Sequence, residues 1–430
     1  MKNAFTQSDI DSEIYVESPK GFETRGKDGM PQVLKLVKSL YGTKQASRLW
    51  QMKLRDHLVN HMGFTCSLTD PCLYAKRDDK GGVMILGVYV DDIILAHKNS
   101  DLDWFIREFT GPNGFDAKHL GNLSWFLGMA CDQHEDCSIS ISQELYIAKL
   151  LDRFCPAKKA TLQKRATPCA SPLSFQKLRP AANDLEREKA SRLPYLQLIG
   201  SLLYLSCMTR PDISYHMSVL CSFMHDPTTE AYDAAIHLLQ YIASTTHSQI
   251  TFTGSTAPFD GLPHEVHGQV SKNHGFVAYS DASWHKPNKL GFNMFGFVVY
   301  FYGGPISFSA KRLKVVSLSS AEAEYAAASY TCKEIMFIRN VCNDLGVKLD
   351  GATVLAVDNQ AAIKIVENMG VTGRNKHFDD SLHYIRHLYD HRVIKPIFVT
   401  TRHQRADGFT KPLEKTPFAA WKKFLLNFVE

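Results

Sequence analysis

From Gly275 onward the apolar residues switch between a period of two and a period near 3.6, in an order that few architectures accept. GFVAYSD reads as a strand, and FNMFGFVVYFYGGPISFS reads as two more in a meander. SSAEAEYAAASYTCKEIMFIRNVCNDLG is a long helix closed by Gly346. TVLAVD is then a strand, NQAAIKIVEN a helix, and VIKPIFVTT a last strand before a C-terminal helix. Three strands, helix, strand, helix, strand, helix predicts an α+β layered domain with a mixed β-sheet flanked by helices.

The preceding residues read differently. VMILGVYVDDIILA places Asp91 and Asp92 between two β-rich apolar runs, the pattern of a hairpin with acids at its tip. Ser142 is expected to cap a helix that carries Ile147, Leu150, Leu151 and Phe154 on one face. The Pro-, Lys- and Ala-rich residues 156–191 read as a linker, and residues 255–273 as a second. Between them lies a helical block: Tyr195 to Met208, then a stripe of Tyr232, Ala235, Ile236, Leu239 and Ile242 after a Thr229 cap. No internal repeat is found.

A chain of 430 residues is too long for one compact core, so two or three domains are expected. The net charge of +5, from 49 Lys+Arg against 44 Asp+Glu, permits a nucleic-acid partner without demanding one. Ten cysteines without a CxxC pair argue against a zinc knuckle and for mostly buried thiols in a reduced compartment. The N-terminal stretch lacks the apolar core of a signal peptide, and the longest uncharged apolar stretch, Leu290 to Tyr302, is too short to span a bilayer. A cytosolic or nuclear protein without a membrane partner is the expectation.

In the last domain four acids sit at element ends. Asp281 closes the first strand, Asp358 closes the fourth, Glu322 lies in the first turn of the long helix, and Asp407 begins ADGFTKP. Taken singly, an Asp at a strand end is ordinarily a turn residue, and Glu322 is well placed simply to complement the helix dipole. Taken together they form a candidate site, but like charges cannot all ionise close together without cations. Two Mg²⁺ ions roughly 3.5–4 Å apart would solve this and would clamp both oxygens of a phosphodiester under attack. All-carboxylate ligands suit Mg²⁺ or Mn²⁺ over zinc.

AYSDASW, VSLSSAEAEYAAAS, AVDNQAAI, RNKHFDDSLHYIRH and QRADGFTKPL, in that order, resemble the RNase H domain of copia-type retrotransposons. The resemblance implies Asp281, Glu322, Asp358 and Asp407 as metal-binding acids that cut RNA in an RNA–DNA hybrid, with His377 as a substrate contact. Glu324 competes with Glu322, because two residues along a helix point to nearly opposite faces; Glu322 is favoured as the closer to the helix start.

Tyr89-Val90-Asp91-Asp92 looks like the YVDD box of reverse transcriptases, and LYGTKQASRLW, LGNLSWFLGM and IGSLLYLSCMTRPDISY are similar to further segments of the same family. This implies an RNA-directed DNA polymerase palm in which Asp91 and Asp92 hold Mg²⁺, with Phe5, Lys44, Gln45 and Tyr89 contacting template RNA, primer or incoming nucleotide. In the family the first catalytic aspartate lies in Asp-Val-Lys-x-Ala-Phe, whereas this chain begins Met1-Lys2-Asn3-Ala4-Phe5, so a polyprotein fragment cut at the front, its fingers missing and its polymerase inactive, is expected. The domains are then a palm over 1–155, a linker and helical thumb or connection over 156–272, an RNase H-like domain over 273–413, and a C-terminal helix over 414–430. For a transposable element of this kind the location would be a cytoplasmic virus-like particle, the nucleus, or both. Two clusters, Lys311, Arg312 and Lys314, and Lys158, Lys159, Lys164 and Arg165, are candidate phosphate contacts. A non-catalytic nucleic-acid-binding relic, and a full polymerase with its upstream sequence restored, are the competing readings.

Overall fold

The structure is a computed structural model that describes the chain except residues 2, 79–81, 99–100, 157–161, 285–292, 315–316, 368–379 and 427–430. Two compact units make it up: residues 1–123 with 339–348, and residues 124–338 with 349–430.

The first unit is built on a four-stranded antiparallel meander, Thr65–Cys66, Leu73–Arg77, Val83–Tyr89 and Asp92–Ala96. Trp50 and Leu54 from helix Ala46–Asp56 and Phe105 and Phe109 from helix Leu102–Thr110 bury against Tyr74, Met84 and Leu86 of that sheet. The expected hairpin is present. Tyr89 pairs with Asp92, so the turn consists of Val90 and Asp91 alone.

In the second unit a five-stranded sheet runs in the order Gly304–Arg312, Met294–Phe301, Val277–Ala282, Thr353–Val357, Ile394–Phe398. The first three strands are antiparallel, and the last two run parallel to the central Val277–Ala282. Its central and fourth strands are buried on both faces, as continuous apolar runs such as VLAV require. The mixed sheet and its flanking helices match the α+β expectation, and the strand order with a long helix between the third and fourth strands is that of an RNase H-like fold. That helix, Ser320–Leu345, belongs to the second unit up to Ile338 and to the first from Arg339, and it ends at Gly346, whose φ of 74° suits a residue without Cβ. One element was unforeseen: helix Asp380–Asp390 between Gln360–Glu367 and the last strand.

Several local expectations need correction. Ser142 ends a strand and does not cap the next helix, Glu144–Phe154, whose N-cap is Gln143. Thr228, not Thr229, caps helix Thr229–Ser244, by accepting from the Ala231 amide. Residues 162–191 fold into helices Pro172–Gln176 and Asp184–Ser191, capped by Ser171 and Asn183, with Cys169, Phe175 and Leu178 buried in the core. Residues 255–273 hold helix His264–Lys272, with Val266 and Val270 buried. In both stretches a few well-spaced apolar residues anchor helices that composition disguised as linkers. All ten cysteines are free thiols, five of them buried. No helix among the described residues is long and apolar enough to cross a membrane.

The TRPDI segment is structural. Arg210 and Asp212, both fully buried, pair through two hydrogen bonds of 2.9 Å. Arg210 also donates to the Thr245 carbonyl and hydroxyl, and Asp212 accepts from Tyr241 at 2.6 Å. Burial would push the Asp212 carboxyl up, yet the Arg210 guanidinium beside it holds it below the usual carboxylate range.

Candidate metal centre

Three elements of the second unit bring acids to one edge of the sheet. Asp281 is the fifth residue of the central strand, Asp358 follows the last residue of the neighbouring parallel strand, and Glu324 lies one turn into the long helix. An oxygen from each lies within 4.8 Å of the others, the only such group of three potential ligands among the described residues. Asp281 and Glu324 are 5% and 6% exposed, and Asp358 is half-buried. The alanine-rich start of the helix, with Ala323, Ala326, Ala327 and Ala328 buried, lets its backbone approach the sheet closely enough for this.

Glu322 takes another role. Its carboxylate accepts from the Leu318 amide at 2.7 Å, and its own amide donates to the Ser319 hydroxyl at 3.3 Å. This is close to the reciprocal arrangement of a capping box, for which Ser-x-x-Glu is the sequence sign. The expectation of Glu322 among the clustered acids is therefore corrected: the helix start uses it as a cap, and the residue two positions on faces the cluster.

Asp407 arrives on a short 3₁₀ turn, Asp407–Phe409, packed on the neighbouring strand. Gly296 sits opposite Asp281 in the ladder, and a Cβ there would lie 2.3 Å from the Phe409 Cβ. A glycine inside a strand is a sign of such close approach. Thr410, next along, donates its hydroxyl to Asp281 Oδ2 and, at 3.0 Å, to the Asp407 carbonyl. Thr401 donates to Asp358 Oδ2 at 3.0 Å. Lys411 Nζ pairs with Asp407 Oδ1 at 2.5 Å.

The electrostatics follow from crowding. Burial, then the charges of Asp281 and Asp358, push the Glu324 carboxyl far above its ordinary range. Burial, then Asp358 and Asp407, likewise push Asp281 up, although the Thr410 hydroxyl and Lys411 oppose this. Asp407 is raised by burial against the pull of Lys411. Burial alone would lower the Lys411 ammonium, but Asp407, Asp281 and Asp358 hold it above its ordinary value. Glu324 Oε2 is buried without a hydrogen-bond partner among the described residues. An orphaned buried oxygen among carboxylates, with hard oxygen donors throughout, fits a divalent cation such as Mg²⁺ or Mn²⁺.

Other expected residues are placed less tellingly. Asp91 is half-buried in its hairpin turn and Asp92 is exposed, and no third acid joins them at ligand distance among the described residues. Val90 in that turn has φ 55°, a region a β-branched residue rarely adopts, and Trp50 Nε1 donates to its carbonyl at 2.8 Å. Trp50 was not anticipated in this supporting role. Tyr89 is 58% exposed, Lys44 is exposed, Gln45 donates to the Ser12 hydroxyl at 2.9 Å, and Phe5 packs on Tyr41 with ring centroids 4.6 Å apart. Lys311, Arg312 and Lys314 are exposed. Arg165 donates to the Gln240 side-chain oxygen at 2.9 Å, while His377, Lys158 and Lys159 lie outside the described residues. Trp284, three residues past Asp281, is 45% exposed, and its Nε1 donates to the Ser317 carbonyl at 3.2 Å.

A family model described as reverse transcriptase (RNA-dependent DNA polymerase) matches residues 1–169. The Pol polyprotein of transposon TNT 1-94 from Nicotiana tabacum is 33% identical over 428 residues, 99% of this chain and 30% of that protein. The putative transposon Ty5-1 protein YCL074W of Saccharomyces cerevisiae is 30% identical over 336 residues, 77% of this chain and 98% of that protein. The chain thus spans under a third of the tobacco relative's length. Among solved structures, the foamy viral protease-reverse transcriptase in complex with RNA/DNA hybrid aligns with a TM-score of 0.42 at 11% identity, covering 93% of this chain and 46% of that one.

Proposed function

We propose that this chain, which belongs to the copia-type retrotransposon Pol family, hydrolyses the RNA strand of RNA–DNA hybrids at Asp281, Glu324, Asp358 and Asp407. The observation that carries the reading is the convergence of three acids from three elements on one sheet edge, with Glu324 Oε2 left unpartnered. Crowded, buried carboxylates of this kind cost stability unless a cation binds them, so a fold that retains them points to function.

Asp281, Glu324 and Asp358 supply the oxygens that would hold Mg²⁺ or Mn²⁺, with Asp407 beside them. A divalent cation bound there would neutralise charge on the scissile phosphate and lower the pKa of the attacking water. Thr410 and Thr401 fix the orientations of Asp281 and Asp358, so that little reorganisation is needed when the site is filled. The exposed Lys311, Arg312 and Lys314, and Trp284 through ring stacking, would bind the hybrid by charge and by contact with its sugars and bases. His377 remains a candidate hybrid contact on its motif alone. In the first unit, Asp91 and Asp92 are proposed as the polymerase metal pair, with Phe5, Lys44, Gln45 and Tyr89 around template, primer and nucleotide.

The deciding experiment is cleavage of a labelled RNA–DNA hybrid in Mg²⁺ by wild type and Asp281→Asn. The variant keeps shape but loses a ligand charge, and its rate should fall by several orders of magnitude. A folded wild type without metal-dependent cleavage would make the chain a binding relic.

A further inference from the structure

The motif that carries Asp407 continues Gly-Phe-Thr-Lys, and its lysine has no part in the reading above. Lys411 Nζ contacts Asp407 Oδ1 at 2.5 Å, with its side chain 39% exposed and that of Asp407 14%. The other acids of the cluster, Asp281 and Asp358, are near enough to act on it through their charge. Two neighbouring side chains anchor the arrangement. Thr410 bridges Asp281 and the Asp407 carbonyl, and Gly296 admits Phe409 so that the turn lies flat on the sheet. One ammonium thus meets the charges of three carboxyl groups, Asp407, Asp281 and Asp358, inside a partly desolvated edge, where each charge weighs more than in water.

We propose that Lys411 is a resident counter-cation of the carboxylate cluster, which a divalent ion must displace from Asp407 before that acid can serve as a ligand. This rests on the metal-site reading given above and adds regulation of the same site. Without a divalent ion, the ammonium offsets part of the repulsion that would otherwise strain the edge. When an ion arrives, a flexible four-carbon stem lets the ammonium swing outward, towards solvent or towards a phosphate of bound nucleic acid. Lys411 is in this sense a positioning residue: it sets how much metal is needed and does not touch reacting atoms.

Mn²⁺ alone is the probe, titrated by electron paramagnetic resonance into the full chain, with melting followed in parallel. Lys411→Met and Lys411→Gln remove the competing charge. Both should bind Mn²⁺ on the order of tenfold more tightly than wild type, melt lower without metal, and gain more in Tm when it is added. Lys411→Arg keeps the charge and should match wild type. The proposal is overturned if the neutral variants bind Mn²⁺ equally or more weakly, or if the Arg variant tightens binding as they do. It is also overturned if both neutral variants lose their fold and Mn²⁺ does not restore it. Hybrid cleavage is a separate readout. Tightening of Mn²⁺ without any cleavage by wild type would refute the hydrolase and leave the counter-cation standing, whereas no Mn²⁺ binding by any variant would refute both.

Discussion

Glu322 and Glu324 lie two residues apart on one helix and should respond to neutralisation with opposite signs. Glu324 is 6% exposed among acids that push its carboxyl upward from an ordinary 4.5. In the metal-free protein it therefore stays protonated in the folded state at a pH where the unfolded chain has already released that proton. The penalty is absent below about pH 4.5 and grows as pH rises, by about 1.4 kcal/mol per unit for one proton. Carried to pH 7, this makes about 3 kcal/mol. Glu324→Gln removes that ionisation, so in EDTA it should be more stable than wild type by up to this amount at pH 7, by less than about 1 kcal/mol at pH 5, and flatter in between. Glu322→Ala should instead lose its bond to the Leu318 amide, costing about 0.5–1 kcal/mol. Because the chain has two units, hydrogen exchange of the amides of Val277–Ala282 is the suitable assay, as it reports opening of this sheet alone. An unchanged slope in Glu324→Gln, or a gain in stability in Glu322→Ala, would refute the assignment of the buried acid.

Arg210→Ala should destabilise the second unit by about 3–5 kcal/mol, because Asp212 would remain buried without its cation; a melting shift of only a degree or two would contradict the network described. Hybrid binding should weaken steeply between ~50 and ~200 mM salt, and neutralising Lys311 and Lys314 together should lower the slope of log Kd against log salt by about 2; an unchanged slope would mean these cations are only solvated surface.

The strands and the long helix of the second unit were legible because each is a run whose period and length admit one reading, as with VLAV buried on both faces. The meeting of Asp281 and Asp358 at one sheet edge was legible, but the choice between Glu322 and Glu324 was not. Proximity to the helix start favours a cap, and only packing against the sheet says which face is inward. The stretches taken for linkers failed for a related reason. Val266 and Val270 are two apolar residues in nine, too few to show a period, yet one helical turn places both in the core.

Gly296 has a bearing on how copies of such an element are judged. Elements decay by accumulating substitutions, and a copy is commonly judged by whether its acids survive. Here the approach of Asp407 depends on a position with no functional group at all, where even a methyl would meet the Phe409 side chain at 2.3 Å. A copy with all four acids intact but alanine at 296 would score as active by inspection while its fourth acid was displaced. If the acids cut hybrids as proposed, their survival would be an insufficient sign of competence, and a glycine is the residue to check next.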